Sequence, residues 1–103
     1  MRTPKGRCLI IVKDEDGQPH NLGLSASLRV WNHSPGGFEW GYGGSGPAQL
    51  ALAILLDFTG DEKLASNLHQ HFKAEKIATL PGGSWTITGN EIERWLAEQK
   101  QTK

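Results

Sequence analysis

The chain has 103 residues, 37% hydrophobic and 21% charged, with 11 Lys and Arg balanced by 11 Asp and Glu. That length suits one domain with a single core and is too short for two. Zero formal charge removes the broad electrostatic pull toward DNA, RNA or an acidic membrane, and a single cysteine, Cys8, excludes both a disulfide framework and a thiolate zinc cluster.

At the N-terminus, Arg2, Lys5, Arg7 and Lys13 are followed at once by Asp14, Glu15 and Asp16, which reads as a solvated surface. No apolar stretch there is long enough for a signal peptide. The longest mostly apolar run, Ala48 to Leu56, falls well short of a membrane span, so a cytoplasmic protein is expected. "RCLIIVK" (7–13) is rich in β-branched residues and predicts a strand with Cys8 buried in it, and "DEDGQ" (14–18) predicts its turn.

"SASLRVW" (25–31) alternates, with Ala26, Leu28 and Val30 on one face and Ser27, Arg29 and Trp31 on the other. "SPGG" (34–37) places Pro and Gly at the centre of a type II turn, and "FEWGY" (38–42) alternates again. A hairpin is expected, with Trp31 opposite Trp40, Arg29 opposite Tyr42 and His33 opposite Phe38. Its aromatic face would offer a stacking surface beside Arg29, or a second core layer. Leu28 and Val30 would lie opposite Gly41 and Gly43, whose missing side chains would let a helix approach the sheet.

Gly41, Gly43 and Gly46 spell G-x-G-x-x-G ahead of an apolar run. A dinucleotide site needs a parallel βαβ unit and an acidic residue ending the second strand, about 20 positions on. Here Asp61 and Glu62 sit at that distance, at an expected helix start, and no parallel strand follows. No Lys-Ser or Lys-Thr follows Gly46, which excludes a phosphate loop of the Walker type, and proline in the fifth place of G-G-S-G-P excludes a nucleophile elbow. What survives is a helix start with unpaired N–H groups and a partial positive charge, a candidate anion site at Gly44, Ser45 and Gly46. Its donors could equally be satisfied by Ser45, Gln49 and the loop.

Pro47 suits the first turn of that helix. Leu50, Leu52, Ile54, Leu55, Leu56 and Phe58 point in nearly every direction, so the helix is expected to be buried on most sides. Thr59 with Glu62 forms a capping-box pattern before a helix carrying Leu64, Leu68 and Phe72, and "LPGG" (80–83) breaks it. "SWTIT" (84–88) is short and β-prone. Thr88 with Glu91 opens a last helix carrying Ile92, Trp95 and Leu96. The expected fold is α+β: a small antiparallel sheet, made of N-terminal strands and the hairpin, packed against about three helices, the first nearly fully buried.

Chemistry-bearing sets are sparse. His69 and His71 are two apart and diverge on a helix, so they read as a solvated face and no metal or cofactor is expected. His33 in "NHSP" reads as a turn residue, with general-base catalysis as the rival role. No catalytic set can be assembled.

"WGYGGSGPAQLA" (40–51), within "NHSPGGFEWGYGGSGPAQLALAILLD" (32–57), and "FKAEKIATLPGGSWTITGNEIERWL" (72–96) resemble a family of small proteins of unknown function carried by bacteriophages, plasmids and other mobile elements. The resemblance covers most of the chain after about residue 25 and implies a mobile-element accessory protein. The motif falls on Asn32, His33, Ser34, Pro35, Trp40 to Tyr42 and Gly43 to Ala48. The function expected is a non-enzymatic binding module, accessory or counter-defence in role. It would use Asn32, His33, Ser34, Trp40, Tyr42, Gly44, Ser45 and Gly46 to hold a host protein or a small anionic, nucleotide-like ligand. The alternatives are a small enzyme acting on a phosphorylated or nucleotide substrate with His33 as general base, and a single-stranded nucleic-acid binder. Zero net charge counts against the last. Self-association stays open.

Overall fold

The computed structural model describes residues 11–13, 18–22, 24–33, 38–81 and 85–101. Cys8 and the 34–37 turn, with Ser34 and Pro35, lie outside these residues. Two three-residue strands, β1 (Ile11–Lys13) and β2 (Pro19–Asn21), pair antiparallel with Ile11 opposite Asn21. They precede four helices: α1 (Leu24–Val30), α2 (Ser45–Thr59), α3 (Glu62–Phe72) and α4 (Gly89–Gln101). A π-helical turn, Lys73–Ile77, extends α3.

The fold is therefore mainly helical, which corrects the expected α+β architecture. Among the described residues the short β1–β2 ribbon is the only strand pairing, and no sheet supports the helices. The expected hairpin does not form. Residues 24–30 are helical, and the Trp31 N–H still donates to the Ser27 carbonyl at 3.0 Å, one more helical step. Residues 38–40 form no strand and 41–44 bend, with Gly41 at a φ of 85°, and the Gly41 N–H donates to the Ile77 carbonyl at 3.0 Å. Seven alternating residues satisfy both periodicities. Helical spacing puts Leu24, Ser27 and Trp31 along one side, and Ser27 is fully buried.

The core is built around α2, the second helix in order. Every residue from Gly46 to Leu55 is buried, so this helix packs on all sides, against α1, α3 and the π turn. It stops at Gly60, whose φ of 70° is the left-handed conformation glycine adopts without steric penalty. The Gly60 N–H closes on the Leu56 carbonyl at 2.8 Å.

Asp61 caps α3, accepting from the Leu64 N–H at 3.0 Å, while the Thr59 hydroxyl turns back to the Leu55 carbonyl at 2.7 Å. The capping box expected at Thr59 and Glu62 is thus replaced by a single aspartate cap. Along α3 the buried stripe is Ala65, His69 and Phe72, with Leu64 and Leu68 half-buried beside it. The extra residue of the π turn carries Ile77 back into the core with Phe72.

At α4 the capping box is reciprocal. The Glu91 N–H donates to Thr88 Oγ1 and the Thr88 N–H to Glu91 Oε1, both at 3.1 Å. Ile92 and Trp95 are buried, and Trp95 meets Phe72 edge-on at 5.0 Å. No helix is long and apolar enough to cross a membrane among the described residues.

Candidate functional site

The glycine segment delivers the chain to the start of α2. Gly44 is the N-cap, in extended backbone and without a side-chain cap. A Cβ built on Gly46 would lie 2.6 Å from Glu39 Cβ and 2.7 Å from Glu39 Oε1, and one built on Gly44 would lie 2.5 Å from the Tyr42 ring. The Tyr42 hydroxyl donates to Glu39 Oε1. The close approaches are therefore made by this segment's own side chains. Gly43 has open space around it, so it does not seat the helix on a bare backbone patch.

This geometry has an electrostatic consequence. A helix N-terminus favours negative charge, and the chain places its own carboxylate, Glu39, against the first turn. An incoming anion would meet like charge at the position where the sequence offers backbone donors. Ser45 is exposed at this tip, while Gly46 is buried.

One turn further on, Gln49 is fully buried and ties three segments together. Its Nε2 donates to Ser27 Oγ at 2.9 Å and to the Trp31 carbonyl at 3.0 Å, and its Oε1 accepts from the His33 N–H at 2.7 Å. An amide supplies both donors and an acceptor, which no charged residue of that length does. Gln49 therefore fixes Trp31 and His33 to α2.

His33 then reaches α3. Its Nε2 lies 2.8 Å from His69 Nε2, and His69 Nδ1 lies 2.7 Å from the Ser66 carbonyl. A carbonyl only accepts, so His69 Nδ1 carries the proton and its Nε2 is a lone pair when the ring is neutral. His33 Nε2–H donates to it. Trp31 stacks on His33 at 5.1 Å and 14°, and tilts against His69 at 5.4 Å. His69 is fully buried, His33 half-buried, and Trp31 is 49% exposed.

Burial holds the His33 pKa below the ordinary imidazole value, and the positive charges of His69 and Lys73 push it the same way. Burial also lowers His69. Hydrogen bonds to the Ser66 and Ala65 backbone oppose that shift, and Lys73 adds to it. Both rings favour the neutral form.

The remaining candidates separate. Trp40 turns into the core at 8% exposure, donates its indole N–H to the Pro81 carbonyl at 2.9 Å and packs edge-on against Trp85. It secures the 38–42 segment and is not part of a surface. Phe38 is buried too, whereas Tyr42 is 47% exposed, so the single aromatic face expected of a hairpin is split. Asn32 is exposed beside Trp31. Sequence placed Trp31 only on the aromatic face of the expected hairpin and read His69 as a solvated position, whereas His69 is fully buried. The missed signal for His69 is its place in the Ala65–His69–Phe72 stripe, which the four-residue spacing of Leu64, Leu68 and Phe72 obscures. Two clefts, one beside Leu64, Leu68 and Leu96 and the other beside Ile54, Trp85 and Ile87, lie away from these rings.

The chain matches the model of a Family of unknown function (DUF6166) over residues 1–98, and it belongs to that family. No curated protein and no solved structure matches it.

Proposed function

We propose that the protein is a non-catalytic module that binds another protein through the surface at Trp31, with His33 behind it and Asn32, Tyr42, Gly44 and Ser45 around the start of α2. The observation that carries the reading is Trp31 itself. It is half-exposed, yet His33 stacks against its ring and Gln49 holds its carbonyl. A large aromatic already fixed in place loses little freedom on docking, and tryptophan is the side chain most enriched among residues that dominate binding energy.

Glu39 at the tip of α2 favours a protein partner over a small anion, because it already supplies the negative charge that tip attracts. The W-G-Y-G-G-S-G-P-A resemblance adds the setting: a mobile-element accessory or counter-defence protein whose partner is a host protein. A second reading has one observation in its favour. The His33–His69 contact gives His33 a proton-relay partner, as a general base in a small enzyme acting on a phosphorylated substrate would use.

Tagged wild-type and Trp31→Ala proteins, expressed in a bacterial host and compared by quantitative mass spectrometry, test the proposal. Phe58→Ala, which truncates another exposed aromatic, is the control. The expected result is a protein retained by wild type and Phe58→Ala but weakened by Trp31→Ala by about 2 kcal/mol or more, roughly thirtyfold in Kd. Equal recovery with folded Trp31→Ala overturns the docking reading. Turnover of a nucleotide panel that disappears in His33→Ala establishes the enzyme instead.

A further inference from the structure

We infer that the His33–His69 contact is a proton-gated latch, holding the Trp31 surface against α3 until two added protons force the rings apart. The latch belongs to the free protein, and only its consequence for docking rests on the function proposed above. In the neutral pair one proton lies on His69 Nδ1, facing the Ser66 carbonyl, and one lies between the two Nε2 atoms, 2.8 Å apart. A first added proton can sit on His33 Nδ1, which leaves the shared bond intact and makes it charge-assisted. A second has only His69 Nε2 left. Two N–H groups would then face each other, and the contact cannot survive.

Among the described residues, no acidic side chain acts on either ring. Lys73, from the π turn, is the charged side chain acting on both rings, and α2 contributes the neutral Gln49. Elsewhere on α3, His71 pairs with Glu75 at 3.0 Å. Glu75 also accepts from the Trp95 indole, so it is committed on the other side of Phe72. Opening would be local, because Gln49 keeps the Trp31 and His33 backbone on α2 while the His33 and Trp31 side chains swing away from His69 on α3. Acid would thus dismantle the docking surface without unfolding the core.

NMR of the free protein tests this through the imidazole nitrogens and the Trp31 indole between pH 7.5 and 5. At pH 7.5 the expected tautomers are Nδ1–H for His69 and Nε2–H for His33. Two coupled titration steps are expected, the second below the ordinary imidazole range, with the Trp31 signal moving at that second step. In His33→Gln, which removes one imidazole without emptying a fully buried site, the Trp31 shift should lose this pH dependence. Independent titration of both rings near 6.5, or a Trp31 signal that moves equally in His33→Gln, overturns the latch. Loss of the latch alongside intact Trp31-dependent binding sinks this inference alone. A working latch in a protein whose Trp31→Ala variant binds normally sinks only the docking reading.

Discussion

Replacing Gln49 by Leu isolates the link on which the surface depends. The side chain is fully buried, and its amide serves Ser27 Oγ, the Trp31 carbonyl and the His33 N–H. Leucine keeps the helix propensity and approximate volume but leaves those groups without this partner. The Ser27 hydroxyl keeps its bond to the Leu24 carbonyl at 2.8 Å, so its loss is small. The Trp31 carbonyl and His33 N–H are part-buried, and each costs about 1–2 kcal/mol when stranded, the lower half of the usual range. The expected loss is about 2–4 kcal/mol. At roughly 4–8 °C per kcal/mol for a domain of this size, the Tm should fall by about 8–32 °C. Gln49→Glu is the sharper partner experiment, since it keeps the acceptor for His33 and removes both donors. Urea denaturation followed by circular dichroism gives the free energies, and amide NMR reports whether His33 has moved. If Gln49→Leu lies within about 0.5 kcal/mol of wild type with the His33 amide unshifted, the argument that this amide organises the 31–33 segment is wrong.

The two tip glycines should respond differently to alanine. Gly46→Ala meets Glu39 Cβ at 2.6 Å, which is anchored to the backbone, so a loss of about 1–3 kcal/mol is expected by urea denaturation. Gly44→Ala meets the exposed Tyr42 ring, which can rotate away, so the fold should change by about 0.5 kcal/mol or less while Tyr42 fluorescence changes. Acid stability follows from the two imidazoles held below their ordinary value by burial. As pH falls past about 6.5 the unfolded chain takes up protons first, so stability present at pH 7.5 declines until the folded pair itself titrates. Urea midpoints at pH 8, 7, 6 and 5 should show this fall, with a shallower slope in His33→Gln. A midpoint that rises between pH 7 and 6 contradicts the sign.

What could be read from the chain alone was what neighbours in sequence decide. The all-round apolar run from Leu50 to Leu56 is a helix the core encloses, and Thr88 with Glu91 meets at one helix start. What escaped was decided across the fold. Residues 25–31 alternate well enough for a strand, and the partner that buries Ser27 in a helix is Gln49, 22 positions away. Asp61, not Thr59, caps α3 because Gly60 ends the preceding helix between them, leaving the Thr59 hydroxyl to donate back to Leu55 and accept from the Asp61 N–H. Of the candidate site, Asn32, His33 and Tyr42 are set around the early part of α2, but Trp40 is spent on Pro81 and Trp85. The His33–His69 contact spans 36 positions, and no local periodicity encodes it.

The start of α2 thus has two chemically opposite neighbourhoods. Glu39 and Tyr42 hold negative charge against its first turn, whereas the segment fixed by Gln49 brings Trp31 and His33 to His69 and Lys73. A polyphosphate chain or a nucleic-acid backbone laid along this end would gain at Lys73 but be opposed at Glu39, which works against the term that normally dominates such binding. A protein surface can vary its charge over a few ångströms, placing an acidic side chain by Lys73 and a donor by Glu39 around a pocket for Trp31. Neutral imidazoles behind Trp31 fit the same economy: they stiffen the ring at ordinary pH without adding a charge that docking would have to desolvate. This match between a fixed aromatic and alternating charge is the physical reason for preferring a protein partner over an anion.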